Sequence, residues 1–178
     1  MNAIEIEACL QSFEILTDTR EQPSKRASER YESFGCPWKR QKLNYGDYTY
    51  NFKLSEDKWL FEPNTSVEGH CVIERKMNLD ELANCFCHER DRFQKEFERA
   101  SKKGASIYLL VEDANWENLL NAKYRSKFNP KAYLASITAW MARYNIKLIF
   151  CKHETSGKLI KEILYRELKE RLETGFYG

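Results

Sequence analysis

No apolar run in this 178-residue chain approaches the roughly 20 residues that a bilayer-spanning helix needs. The N-terminus, MNAIEIEACLQSFEIL, lacks the basic start and apolar block of a secretory signal. A membrane partner is therefore excluded, and a cytoplasmic location, or a nuclear one in a eukaryote, is the expectation. There is no internal repeat, no low-complexity tract and no linker, so one domain over residues 1–178 is expected, long enough to bury a core. The six cysteines lack the framework of a disulfide-stapled protein and read as reduced thiols. Cys85, Cys87, His88, Cys151 and His153 fit no common zinc spacing, since Cys85 and His88 share a helix face that Cys87 does not. A strong charge of either sign is also missing. The net charge is +2, which speaks neither for nor against nucleic acid.

What is present is an ordinary globular composition, 42% apolar and 31% charged, with its bases unevenly distributed. Residues 20–42 carry Arg20, Lys25, Arg26, Arg30, Lys39, Arg40 and Lys42 against Glu21, Glu29 and Glu32. Residues 123–131, KYRSKFNPK, hold four bases, two aromatic rings and no acid. Such stretches can neutralise phosphates, and interleaved rings can stack on unpaired bases. A solvated surface is the competing reading of each.

The periodicities predict strands over 13–18, 38–43, 47–54, 58–62 and 70–76. A short helix is expected around 25–33, stopped by Gly35 and Pro37. Asn78, with Glu81 three residues later, looks like a helix start, opening a helical stretch over 79–102 that is broken near Cys87. SIYLLVED has the length of a buried strand. Asn129-Pro130 opens the next helix, IKLIF forms the last strand, and a helix over 156–173 carries Ile160, Leu164, Leu168 and Leu172 on one stripe. Strands first, then helix–strand–helix–strand–helix, is the order of an α/β domain: a mixed central sheet flanked by helices.

The chemistry concentrates in Gly46-Asp47 and Glu74-Arg75-Lys76. Alternation along a strand puts Glu74 and Lys76 on one face. Two carboxylates with an ammonium beside them suit a hard divalent ion and phosphodiester hydrolysis. Asp47 and Glu74 are the first-choice Mg²⁺ or Mn²⁺ ligands, joined by the Arg75 carbonyl. Lys76 would hold or help deprotonate the attacking water. Arg20, Arg90 and Arg92 are candidates for phosphate contact, together with Lys123, Arg125 and Lys127 of the second basic stretch. Arg75 should project from the opposite face, towards phosphate, Glu21 or Glu96. Asp80 suits a helix-dipole partner. Glu112 reads as a strand-end acid with no role.

GD…ERKxxxD resembles the signature of the XPF family of structure-selective DNA endonucleases, within the PD-(D/E)XK group. Thr17-Asp18-Thr19-Arg20-Glu21 resembles the DxRE strand of that family, Arg92-Phe93…Glu96 its RF/RL helix segment, and YLLVE and 132–150 its later strand and helix. The resemblance runs from about residue 13 to about residue 172. It implies a restriction-endonuclease-like fold, DNA cleavage at branches, flaps or junctions, and a homodimer. It also makes Asp18 a third metal candidate. The paired Gly-containing hairpins of a helix-hairpin-helix module are missing from the tail. A silent scaffold of the same fold, or a nuclease that nicks duplex DNA or RNA, are the alternatives.

Overall fold

The computed structural model describes residues 1–55 and 58–177. Along the chain it forms helix α1 (Ala3–Gln11), strand β1 (Glu14–Asp18), α2 (Lys25–Glu32), β2 (Trp38–Gln41), β3 (Tyr48–Asn51), β4 (Lys53–Ser55), β5 (Lys58–Trp59) and β6 (Cys71–Lys76). There follow α3 (Leu79–Cys87), α4 (Arg90–Lys102), β7 (Ser106–Glu112), α5 (Trp116–Leu120), α6 (Pro130–Tyr144), β8 (Ile146–Cys151) and α7 (His153–Glu173). Local chemistry explains the boundaries. Asn2 and Glu5 close a reciprocal capping box on α1. The break between α3 and α4 falls at His88 and Glu89. Asn129 caps α6 and Pro130 occupies its first turn, where a missing N–H costs nothing.

Six strands form one mixed sheet in the order β2-β1-β3-β6-β7-β8. β1 and β2 are parallel, β3 is antiparallel to both β1 and β6, and β6, β7 and β8 are parallel. A separate hairpin pairs β4 with β5. The mixed α/β class expected from the element order is therefore the observed one, with β3 and β6 adjacent through Tyr48 and Ile73.

Alternation along the strands divides the core. Val72, Ile107, Leu109 and Val111 face α3, α4 and α6, where Phe86, Phe93, Phe97, Tyr133 and Trp140 pack. Ile15, Tyr48, Tyr50, Ile73 and Leu110 face α1 and α7. The α7 stripe Ile160, Leu164, Leu168 and Leu172 is buried in this second layer, each leucine contributing about 2 kcal/mol. That stripe is consumed by its own core and is not a surface for self-association. α7 also lies hard against α2: a Cβ on Gly157 would meet the Arg30 carbonyl oxygen at 2.4 Å.

Candidate active site

Asp47 sits at the hinge of three strands. Its N–H donates to the Ile73 carbonyl at 2.9 Å, and its carbonyl accepts from the Asp18 N–H at 2.8 Å. Gly46 makes the entry possible. Its φ of +74° is a left-handed conformation, and a Cβ there would lie 2.9 Å from the Val72 Cβ. Asp47 Oδ2 accepts from the Arg75 N–H at 2.7 Å, which fixes the carboxylate over β6. On β6, Glu74 and Lys76 share the face towards α4, with Lys76 Nζ 2.6 Å from Glu74 Oε1 and 5.0 Å from the Phe93 ring centroid. Among the described residues, Asp47 Oδ1 and Glu74 Oε2 have no protein hydrogen-bond partner. Glu74 also lines a crevice with Tyr45, Gly46, Val72, Glu96 and Phe97; at about 10 Å³ it has room for one water. A cavity of about 790 Å³ lies elsewhere, between α1, Lys53 and Tyr177, and contains none of these groups.

The electrostatics follow from this crowding. Desolvation, and then the Glu74 carboxylate, push the Asp47 carboxyl up to about 7. Burial pulls the Lys76 ammonium down, but Glu74 and Asp47 outweigh it and its pKa goes up. Two oxygens without partners on carboxylates that repel each other make a donor set for a hard cation, so these residues fit Mg²⁺ or Mn²⁺.

The opposite face of β6 is different. Arg75 points away from Glu74, as alternation predicts, and reaches Glu112 at 3.3 Å and Glu21 at 3.6 Å. Arg30 joins both acids, at 3.2 Å to Glu112 and 2.7 Å to Glu21, and donates to the Tyr48 hydroxyl at 3.0 Å. Tyr31 and Tyr48 donate to Glu21 in turn. Arg30 and Glu112 are buried, and Glu112 is 0% exposed. Glu112 is thus a keystone of the core, which its position at a strand end does not reveal.

Other expected site residues separate into groups. Asp18 is held by Arg20, whose Nε donates to Oδ2 at 2.7 Å, and Arg20 also pairs with Glu96 at 3.0 Å. Glu96 is thus the partner of Arg20 and not of Arg75. Among the described residues, one oxygen each from Asp18, Asp47 and Glu74 do not converge within 4.8 Å. That convergence occurs at Asp113, His153 and Glu154. There Asp113 accepts from the His153 N–H at 3.2 Å, capping α7, and pairs with Arg26 at 3.4 Å. Most bases of the 20–42 segment have partners in the fold, while all but Arg30 stay at least partly exposed. Arg30 is buried, Lys39 pairs with Glu14, Lys25 with Glu29, and Arg40 donates to the Thr19 and Glu21 carbonyls. Arg90 lies over Trp140, while Arg92 is 78% exposed with Glu89 beside it. In the second stretch Lys123, Arg125 and Lys127 are exposed, and Tyr124 and Phe128 alternate inwards onto Tyr133 at 5.3 and 5.2 Å. Those rings are partly buried against the core. The cysteines are free, with Cys85 buried and Cys87 exposed.

A family model described as the ERCC4 domain matches residues 17–163. The chain belongs to the ERCC4 domain family. The match spans β1 to α7 and so contains Asp18, Asp47, Glu74 and Lys76. Among solved structures, XPF from Aeropyrum pernix superposes with a TM-score of 0.58 at 18% identity, over 86% of this chain and 61% of that one. XPF from Aeropyrum pernix in complex with DNA gives a TM-score of 0.58 at 20% identity, over 88% of this chain and 65% of that one. The chain therefore spans under two thirds of the length of either, and at this identity the likeness establishes the fold. No curated protein matches the chain. No helix among the described residues is long and apolar enough to cross a membrane.

Proposed function

We propose that this ERCC4-family chain is a metal-dependent endonuclease that hydrolyses phosphodiester bonds in branched, flap or junction DNA. The observation that carries the reading is the Asp47–Glu74 pair where β3 and β6 meet, with one oxygen of each left without a protein partner among the described residues and Lys76 alongside. The fold shared with an XPF that binds DNA supports the substrate class.

Asp47 Oδ1, Glu74 Oε2 and the Arg75 carbonyl would hold Mg²⁺ or Mn²⁺. The bound ion supplies Lewis-acid polarisation of phosphate oxygen and activation of water. Asp18 joins the ligands only when Arg20 withdraws from it. Lys76 keeps its ammonium charged across the physiological range and places it where negative charge develops on phosphate. The Arg75 amide holds Asp47 in register with Glu74, so backbone geometry sets the spacing of the carboxylates. Lys123, Arg125, Lys127 and Arg92 project outwards and would meet backbone phosphates, giving weak and strongly salt-dependent binding. Preference for a junction then comes from shape, since a bent substrate reaches more of these contacts at once than a straight duplex. Homodimerisation belongs to the same proposal. With the α7 stripe buried, the apolar surface available to it includes Trp116, exposed Leu120 and the sheet-edge strand β8.

The test is cleavage of labelled flap, Y-fork, four-way, duplex and single-stranded substrates, with Mg²⁺, Mn²⁺ or EDTA. Metal-dependent cutting of the branched forms is expected. Cleavage that persists in EDTA would overturn the metal assignment, and equal rates on blunt duplex would overturn the structure selectivity.

A further inference from the structure

The first turn of α3 starts three residues after Lys76 and is tied to the basic loop far ahead in the chain. Asp80 Oδ1 accepts from both the Arg125 N–H and the Ser126 N–H, each at 2.7 Å. Its Oδ2 lies 3.4 Å from Arg125 Nε. The neighbouring Leu79 carbonyl accepts from the Tyr133 hydroxyl at 2.7 Å, and Tyr133 is the ring on which Tyr124 and Phe128 pack. The Ser126 hydroxyl accepts from the Phe128 N–H at 3.2 Å, closing the turn. Burial alternates through the loop: Tyr124, Ser126 and Phe128 turn inwards, while Lys123, Arg125 and Lys127 turn out. The Arg125 side chain is 90% exposed although its amide is held. A carboxylate collecting two backbone donors is a charge-assisted clamp, stronger than neutral hydrogen bonds. Here it fixes the direction of three cations relative to the strand that carries Glu74 and Lys76.

We propose that Asp80 latches the 123–128 loop beside the active-site edge and is a positioning residue for the DNA backbone; this rests on the nuclease reading above. Asp80 touches neither substrate nor metal. It acts through the loop amides, so losing it disperses three phosphate contacts together. Replacing Arg125 removes one.

The experiment measures binding of a fluorescent Y-fork DNA in EDTA across a salt series, and cleavage in Mg²⁺, for Asp80→Ala, Asp80→Asn and Arg125→Ala. Asp80→Ala is expected to weaken binding about tenfold and to lower the log–log salt slope by about 2, because about two to three phosphate contacts are lost. Arg125→Ala should lower the slope by about 1. Asp80→Asn keeps an acceptor oxygen and should remain within about threefold of wild type. The cleavage defect of Asp80→Ala should fall on KM and spare kcat. Wild-type affinity and slope in Asp80→Ala would overturn the latch, as would a loss of kcat at unchanged KM. Should Asp80→Ala not fold, hydrogen exchange on the wild type decides: protected Arg125 and Ser126 amides support the latch, and unprotected ones overturn it. Wild-type protein that binds no DNA at low salt overturns the nuclease reading, while exchange protection still reports the latch separately.

Discussion

The two faces of β6 carry charged groups of the same kinds and treat them in opposite ways. On one face the Glu74 charge acts on Asp47, Lys76 engages one oxygen, and two carboxylate oxygens are left without protein partners among the described residues. On the other, Arg75, Glu112, Arg30 and Glu21 interlock with Tyr48 and Tyr31. Buried ion pairs hold a core together when every partner is in place and become costly when one is removed. Carboxylates held together without enough cations lower stability and create a place for one. Neighbouring residues of one strand thus differ: one face leaves carboxylate oxygens open, and the other spends its charges on ion pairs, with Arg75 Nε buried and without a partner among the described residues.

The largest effect that would break this comparison concerns activity. Asp47→Asn is expected to slow cleavage by about 10³-fold, since the ion loses a charged ligand while Asn still accepts from the Arg75 amide. Circular dichroism alongside the rate assay checks that the fold survives. Stability is the measure on the opposite face. Arg30→Met leaves Glu21 and Glu112 short of a cation and should cost about 3–5 kcal/mol, lowering Tm by about 10 °C in calorimetry.

A third expectation concerns pH. The Asp47 carboxyl is pushed up to about 7 in the folded protein, from an ordinary value of 3.8. The folded state therefore holds that proton more tightly than the unfolded chain does. Below about pH 4 both states are protonated and Asp47 costs nothing; its penalty grows as pH rises and is complete above about pH 7. Asp47→Asn should thus match wild type in unfolding free energy near pH 4 and exceed it at pH 8 by about 1 kcal/mol, a value reduced by the solvent Asp47 still touches. A variant less stable at pH 8 would show that Asp47 is a structural residue. The smallest effect is at the periphery. Lys123→Ala or Lys127→Ala should each reduce the salt slope of DNA binding by about 1, with the cleavage defect on KM.

Much of the Asp47–Glu74 face was legible because it is local. Alternation alone puts Glu74 with Lys76 and turns Arg75 away, and Gly46 before Asp47 marks the tight entry. The broken helix at Cys87, the Asn129-Pro130 start and the α7 stripe were equally readable. The opposite face was not, because its partners are distant: Arg30 and Glu112 are 82 residues apart, and no periodicity links them. For the same reason the partners of the 20–42 bases were hidden, since Arg20, Arg30, Lys39 and Arg40 meet acids or carbonyls distant in sequence, although only Arg30 is buried. Tyr124 and Phe128 look like free rings beside lysines, and the sequence does not show that each packs partly on Tyr133. The Asp80 carboxylate lies in the first turn of α3, as its place in the sequence suggested, and what the sequence does not show is that Oδ1 also holds the loop amides. Two short elements, α1 and α5, went unread although Asn2 with Glu5, and Asn115, carry capping signals.

The most direct test sets the two faces side by side: single-turnover cleavage of one labelled Y-fork in Mg²⁺ by Glu74→Gln and Arg30→Met, below the melting temperature of both. Glu74→Gln should be slower than wild type by about 10³-fold, and Arg30→Met should stay within about tenfold of it. Comparable rates for the two variants, or a faster Glu74→Gln, would contradict the division of β6 into a catalytic and a structural face.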